Sequence, residues 1–221
     1  MKIVFATANR GKLREASEIL GEGFEVLSPA DLGIDGDVEE NGSTLKENSQ
    51  IKARHIHALT KLPCFADDTG LEVDALGGAP GIYSARYAGE AHDSEANMSK
   101  LLSELGKLGP SAERSARFRT VITLIMDGEE HFFEGTVEGS IARERSGKGG
   151  FGYDPIFVPD AAELEPVRGS GESGFSFRGD ESAPAVPEAC HLTFADLPEE
   201  TKNAVSHRGK ALRAMAAFLA R

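Results

Sequence analysis

The chain has 221 residues, 40% of them hydrophobic, enough to build a core as one large domain or as two lobes sharing a sheet. Its 36 Asp and Glu against 24 Lys and Arg give a formal charge of −12, which excludes a nucleic-acid binder that needs a basic track, although Lys, Arg and a metal clustered locally would still hold a small anion. Cys64 and Cys190 form no CxxC and no zinc-like spacing, the first residues carry too short an apolar run for a signal peptide, and no later run reaches membrane-spanning length, so the chain reads as a soluble protein of the reduced cytoplasm with no membrane partner.

In chain order, Lys2 to Thr7 is β-rich and breaks at Asn9-Arg10-Gly11, after which Leu13, Ala16, Ile19 and Leu20 recur at helical spacing. Phe24 to Leu27 reads as a second strand closed by Ser28-Pro29. The acidic, turn-rich stretch Asp35 to Gly42 leads into Thr44-Leu45-Lys46-Glu47, a capping-box pattern that opens a helix to about Leu59 with Asn48 and Lys52 on one face. Phe65-Ala66 then ends in Asp67-Asp68, followed by Thr69-Gly70, read as a turn. Strand alternation lets at most one of these carboxylates point inward, and the turn would lift both to the sheet edge, where α/β proteins place ligands. A solvated Asp-Asp turn accounts for the same residues.

After the Gly-rich run Gly77 to Gly81, Asp93-Ser94 caps a helix whose Met98, Leu101, Leu102, Leu105 and Leu108 form an apolar stripe, read as core. Arg117 to Met126 and His131 to Ala142 form a hairpin about Asp127-Gly128. Asp160 to Val186, rich in Gly, Ser, Glu and Pro, is read as disordered. Glu199 to Leu219 is helical, with Gly209 a candidate interruption and Leu212, Met215, Phe218 and Leu219 as its apolar face. Helices alternating with strands, then a hairpin and a closing helix, predict an α/β fold with a mixed central sheet and flanking helices.

Four further segments carry chemistry. Thr7-Ala8-Asn9-Arg10-Gly11-Lys12 lies between strand and helix, where unpaired N–H groups and the helix dipole favour an anion, and Lys12 would complete a phosphate site; it is not a Walker A loop, and an ordinary turn with a surface lysine fits it too. Gly149-Gly150-Phe151-Gly152-Tyr153-Asp154 offers close backbone approach, the aromatic faces of Phe151 and Tyr153 and a polar edge at Asp154, suited to a heterocycle or simply a flexible hairpin exit. Lys202 to Lys210 holds the pair His207-Arg208, and Glu39-Glu40 adds an acidic patch. Hard carboxylate oxygens suit Mg²⁺, which commonly keeps several waters and shares substrate phosphates. A nucleoside phosphate would satisfy all of these groups.

Thr7 to Lys12, Ala66 to Leu71, Leu76 to Arg86, Gly149 to Pro155 and Ser206-His207-Arg208 closely resemble the inosine/xanthosine triphosphate pyrophosphatases of the Ham1-like family. The resemblance implies one such domain over residues 1–221, in two lobes with the active-site cleft between them. It also implies Mg²⁺-dependent hydrolysis of dITP, ITP or XTP, purine nucleoside triphosphates, to monophosphate and pyrophosphate by a homodimer. Asp68 would be proton acceptor and metal ligand, with Glu39 or Glu40 as the other metal carboxylate. Thr7 to Lys12, with Lys52 and Thr69, would hold the phosphates; Phe151, Gly152, Tyr153, Asp154, Lys202, His207 and Arg208 would hold base and sugar. Arg208 and N–H groups near Phe151 are candidate donors to the purine O6. The chain departs from the family over about residues 160–186, an expected surface insertion in which Val158-Pro159-Asp160 is nearly echoed by Val186-Pro187-Glu188. A non-catalytic nucleotide sensor and a pyrophosphatase for other modified nucleotides remain the alternatives.

Overall fold

The structure is a computed structural model describing residues 1–36, 38–164 and 192–221. Most of the stretch expected to be an insertion, and Cys190, lie outside the described residues. Among the described residues seven strands form one sheet: β1 (Lys2–Phe5), β2 (Glu25–Leu27), β3 (Cys64–Val73), β4 (Pro80–Gly81), β5 (Ser115–Met126), β6 (Glu129–Ile141) and β7 (Phe157–Pro159). Their order is β2-β1-β3-β5-β6-β7, with β4 paired to β3. The sheet is mixed, because β1 runs parallel to β2 and β3 while β3/β4 and β6/β7 are antiparallel. The helices are α1 (Arg10–Leu20), α2 (Leu45–Thr60), α3 (Ser94–Lys107), α4 (Glu199–Val205) and α5 (His207–Leu219).

The chain divides into two compact units. The first holds Met1–Gly70, Phe118–Thr136 and Ser206–Arg221, the second Leu71–Arg117 and Val137–Val205. In the first, the two faces of the sheet bury different helices. Ile3, Phe5 and Phe65 pack with Ala16 and Leu20 of α1 and Ala211, Leu212 and Met215 of α5. Val4, Cys64 and Ala66 pack with Ala53 and Ile56 of α2. This division follows from the two-residue period of a strand, which sends odd and even positions of β1 and β3 to opposite faces. Asn9, Thr44 and Ser206 cap α1, α2 and α5 by accepting from backbone N–H groups of the first turn. The Glu47 carboxylate reaches one residue beyond the cap, to the Ser43 N–H and hydroxyl, each at 2.6 Å.

In the second unit Asp93 caps α3, and Met98, Leu101 and Leu105 of the expected stripe are buried, whereas Leu108 lies past the helix end and is exposed. Residues 161–164, at the start of the predicted insertion, form a helical turn, and the Asp160 N–H donates to the Glu138 carbonyl at 3.0 Å.

Two expectations need correction. Thr69-Gly70 is not a turn: β3 runs through it to Val73, and the Thr69 hydroxyl is held by Thr120 of β5 at 2.7 Å, so the carboxylate pair sits in mid-strand. The C-terminal helix breaks at Ser206, not at Gly209, because the Ser206 hydroxyl accepts the Gly209 N–H at 2.9 Å and starts a new helix there. The hairpin turn is as expected, Asp127 and Gly128 both adopting the positive φ that a tight two-residue connection requires.

Candidate active site

The strand period that sorts the core also sorts the two adjacent carboxylates. Asp67 shares its face with Phe65 and meets α1 and α5: Lys12 Nζ donates to Oδ1 at 2.9 Å and Arg208 Nε to Oδ2 at 3.0 Å. Asp68 shares its face with Cys64 and Ala66 and meets α2: Lys52 Nζ donates to Oδ1 and Asn48 Nδ2 to Oδ2, both at 3.3 Å. Neighbours in sequence therefore occupy different electrostatic environments.

Asp67 is 2% exposed and belongs to a charge chain that continues through Arg208 to Glu15, whose Oε2 accepts from Nη1 at 3.2 Å. Burial alone would raise the Asp67 carboxyl, but the Lys12 and Arg208 cations outweigh it and hold the group far below the ordinary carboxylate range. Burial lowers the Lys12 ammonium; Asp67 opposes that, and the Arg208 and Lys52 cations complete the net fall. Asp68 is the opposite case. Burial raises it, Lys52 resists, and the neighbouring Glu40 and Asp67 charges add to the rise, which brings it to about 6. A group poised there can hold or take a proton near neutral pH.

Lys52 connects Asp68 to the acidic loop, its ammonium lying 3.2 Å from Glu40 Oε1. Of the two glutamates proposed from sequence, Glu40 is thus drawn to Asp68 through Lys52, while Glu39 is exposed. Asp68 and Glu40 form a donor set suited to a hard divalent cation: two carboxylates under mutual repulsion, incompletely balanced by the lysine they share. Among the described residues no three His, Cys, Asp or Glu side chains make a cage of their own. A cation on Asp68 and Glu40 would complete its shell from water and phosphate.

The strand-to-helix loop is less open than its sequence implies. Asn9 Oδ1 accepts the Gly11 and Lys12 N–H groups at 2.9 and 3.1 Å, and Thr7 Oγ1 accepts the Asn9 N–H at 3.2 Å. Two amides expected to face an anion are therefore used by the cap, whereas Ala8, Asn9, Arg10 and Gly11 remain exposed.

The residues expected to hold base and sugar fall into both units. In the second, Phe151 is 59% exposed, and Lys202 Nζ lies 4.8 Å from its ring centroid while donating to Asp154 Oδ2 at 2.6 Å. Asp154, buried, also accepts the Phe151 N–H at 2.6 Å, so that amide is not an open donor. Gly150 is required where it stands, since its φ is +76° and a Cβ would lie 2.3 Å from Asp154 Oδ2; Gly152 follows Phe151 with φ +63° and open space beside it. Tyr153, read as a second aromatic face, turns inward instead, donating its hydroxyl to the Ser84 carbonyl at 2.8 Å.

His207 and Arg208 belong to the first unit. His207 stacks on Phe118, its Nδ1 2.6 Å from the Thr120 hydroxyl that also meets Thr69. Arg208 is buried against Asp67 and Glu15, its Nε donating to the first and its Nη1 to the second. Sequence reasoning missed Glu15, Thr120 and the role of Asn48 as more than a helix-face residue. Glu15 and Arg208 are separated by 193 positions, and no local pattern marks such a pair.

The sequence model of the Ham1 family matches residues 3–218. The chain is 44% identical over 218 residues to a dITP/XTP pyrophosphatase of Porphyromonas gingivalis, covering 99% of this chain and 97% of that one. It is 45% identical over 217 residues to a dITP/XTP pyrophosphatase of Thioalkalivibrio sulfidiphilus, covering 96% and 95%. Among solved structures, a HAM1 protein from Coxiella burnetii superposes with a TM-score of 0.80 at 37% identity, covering 100% of this chain and 98% of that one. The Staphylococcus aureus Ham1 protein gives 0.78 at 39% identity, with the same coverage.

Proposed function

The chain belongs to the Ham1 family, and from that premise we propose that it hydrolyses non-standard purine nucleoside triphosphates, dITP, XTP and ITP, to the monophosphate and pyrophosphate. It is a nucleoside triphosphate pyrophosphatase. The observation that carries the mechanism is the separation of Asp67 from Asp68: one is locked in a buried ion-pair chain, the other is pushed to about 6 beside Glu40 and Lys52.

Asp68, ionised, accepts a hydrogen bond from water, orients it toward the α-phosphorus and takes its proton as the P–O bond to pyrophosphate breaks. Phosphoryl transfer asks mainly for positioning and charge neutralisation. Lys52 supplies positive charge at the reacting group, and Lys12, held by Asp67, supplies it at the helix entrance. Asp67 acts through Lys12 and Arg208, not on substrate. Asp68 and Glu40 are the residues that would hold Mg²⁺, which when bound would neutralise charge on the triphosphate and the leaving pyrophosphate.

Base recognition is assigned to Phe151 and Lys202, an exposed ring for stacking with a cationic donor beside it. Hypoxanthine and xanthine present an O6 acceptor to such a donor, whereas adenine presents an amino donor. Each mismatched polar group costs about 1–3 kcal/mol, or about ten- to a hundredfold in preference. The working form is proposed to be a homodimer, which sedimentation would test. Among the described residues no helix is long and apolar enough to cross a membrane. A panel of nucleoside triphosphates assayed for pyrophosphate release, with Mg²⁺ and with EDTA, tests the assignment. ITP, dITP and XTP are expected to react only with the metal, and equal rates for ATP and ITP would refute it.

A further inference from the structure

We propose that Asn48 is a positioning residue that fastens the acidic Glu40 loop to Asp68 and so sets the geometry of the two metal-binding carboxylates. The proposal deepens the active-site assignment above and rests on it. Asn48 is fully buried, on the first turn of α2, and both ends of its amide are spent on the site. Its Nδ2 donates to Asp68 Oδ2 at 3.3 Å, and its Oδ1 accepts the Gly42 N–H at 2.8 Å, two residues beyond Glu40. A buried primary amide fits this task because it offers a donor to a carboxylate and an acceptor to a backbone amide at once, which no apolar or acidic side chain of its size does.

The approach of the loop is as specific as the bond. A Cβ on Gly42 would lie 2.6 Å from Asn48 Oδ1 and 2.7 Å from the Glu47 Cβ, so only glycine lets this loop dock on the amide. Lys52, one helical turn beyond Asn48, meets both Asp68 and Glu40 from the same face of α2. Lysine supplies charge that draws the carboxylates toward it, whereas the amide fixes where Asp68 points and how far the loop stands off.

The test removes the contact from either side. Asn48→Ala deletes the amide, and Gly42→Ala displaces the loop while leaving every polar group in place. For each, Mn²⁺ binding to the nucleotide-free protein is measured by electron paramagnetic resonance, with the melting temperature as a control for folding, and the Mg²⁺ dependence of ITP hydrolysis is measured beside it. Partners of metal ligands typically account for about ten- to a hundredfold in metal affinity or activity. Both variants are therefore expected to bind Mn²⁺ at least about tenfold more weakly and to need correspondingly more Mg²⁺ for half-maximal rate. The KM for ITP at saturating metal should change little, and Asn48→Ala should recover activity at high Mg²⁺. Unchanged Mn²⁺ affinity in either folded variant overturns the proposal, as does a wild-type protein that binds no Mn²⁺. A wild-type protein that binds Mn²⁺ but hydrolyses no nucleotide overturns the catalytic assignment instead, and the affinities still decide the role of Asn48.

Discussion

Replacing each aspartate of the pair by asparagine should move stability in opposite directions, although the two positions are adjacent. Asp67→Asn leaves the buried Arg208 and the half-buried Lys12 without the carboxylate that both contact. Removing one partner of a buried pair costs about 3–5 kcal/mol, and at about 2–4 °C per kcal/mol for a chain of this size the melting temperature should fall by about 6–20 °C. For Asp68 the sign is reversed. Its carboxyl is raised from an ordinary 3.8 to about 6, so the folded state binds a proton more tightly than the unfolded chain does, and ionising it near neutral pH costs stability. At about 1.4 kcal/mol per pH unit this amounts to about 3 kcal/mol. In metal-free buffer at about pH 7.5, Asp68→Asn should therefore melt about 6–12 °C above wild type. The advantage should shrink to about 1 kcal/mol at about pH 4.5, because wild-type stability from this group is full below the unfolded value and is lost as pH rises toward about 6. Thermal unfolding in EDTA at the two pH values measures both effects. Shifts of the same sign for the two variants, or an Asp68→Asn gain that does not depend on pH, would refute the electrostatic division of the pair.

Other expectations follow from single contacts. Lys52→Met leaves Asp68 and Glu40 without the cation they share and should lower kcat/KM about a hundredfold, measured by pyrophosphate release. Phe151→Ala removes the exposed stacking face and should raise the KM for ITP about tenfold with kcat nearly unchanged; an equal fall in kcat would place the ring elsewhere in the reaction. Ser206→Ala removes the cap of α5 and should cost about 1 kcal/mol, lowering the melting temperature by about 2–4 °C.

That the two carboxylates face opposite sides of β3 was legible because it depends only on strand period, and the core residues of β1 and β3 obey the same rule, although the turn expected to lift both to the sheet edge is absent. The caps at Thr44 and Asp93 are equally local, as is the turn at Asp127-Gly128, whereas Asn9 was read only as a break after the first strand. What the sequence hides is tertiary. Thr-Gly after two aspartates has the composition of a turn, and only the hydroxyl of Thr120, 51 positions away, shows why β3 continues. The helix break falls at Ser206 because a serine cap outweighs a glycine that a helix can tolerate. Arg208 was grouped with the base-binding residues by resemblance, and its Nε and Nη1 also reach Asp67 and Glu15, partners that no spacing in the chain announces.

The central claim is that Asp68 activates the attacking water while Asp67 only supports its surroundings. Turnover of ITP by Asp68→Asn at saturating Mg²⁺ and substrate tests it most directly, since the variant is expected to be folded and at least as stable as wild type. Loss of a general base predicts a fall in kcat of about a hundredfold or more. A kcat within a few fold of wild type would contradict the account.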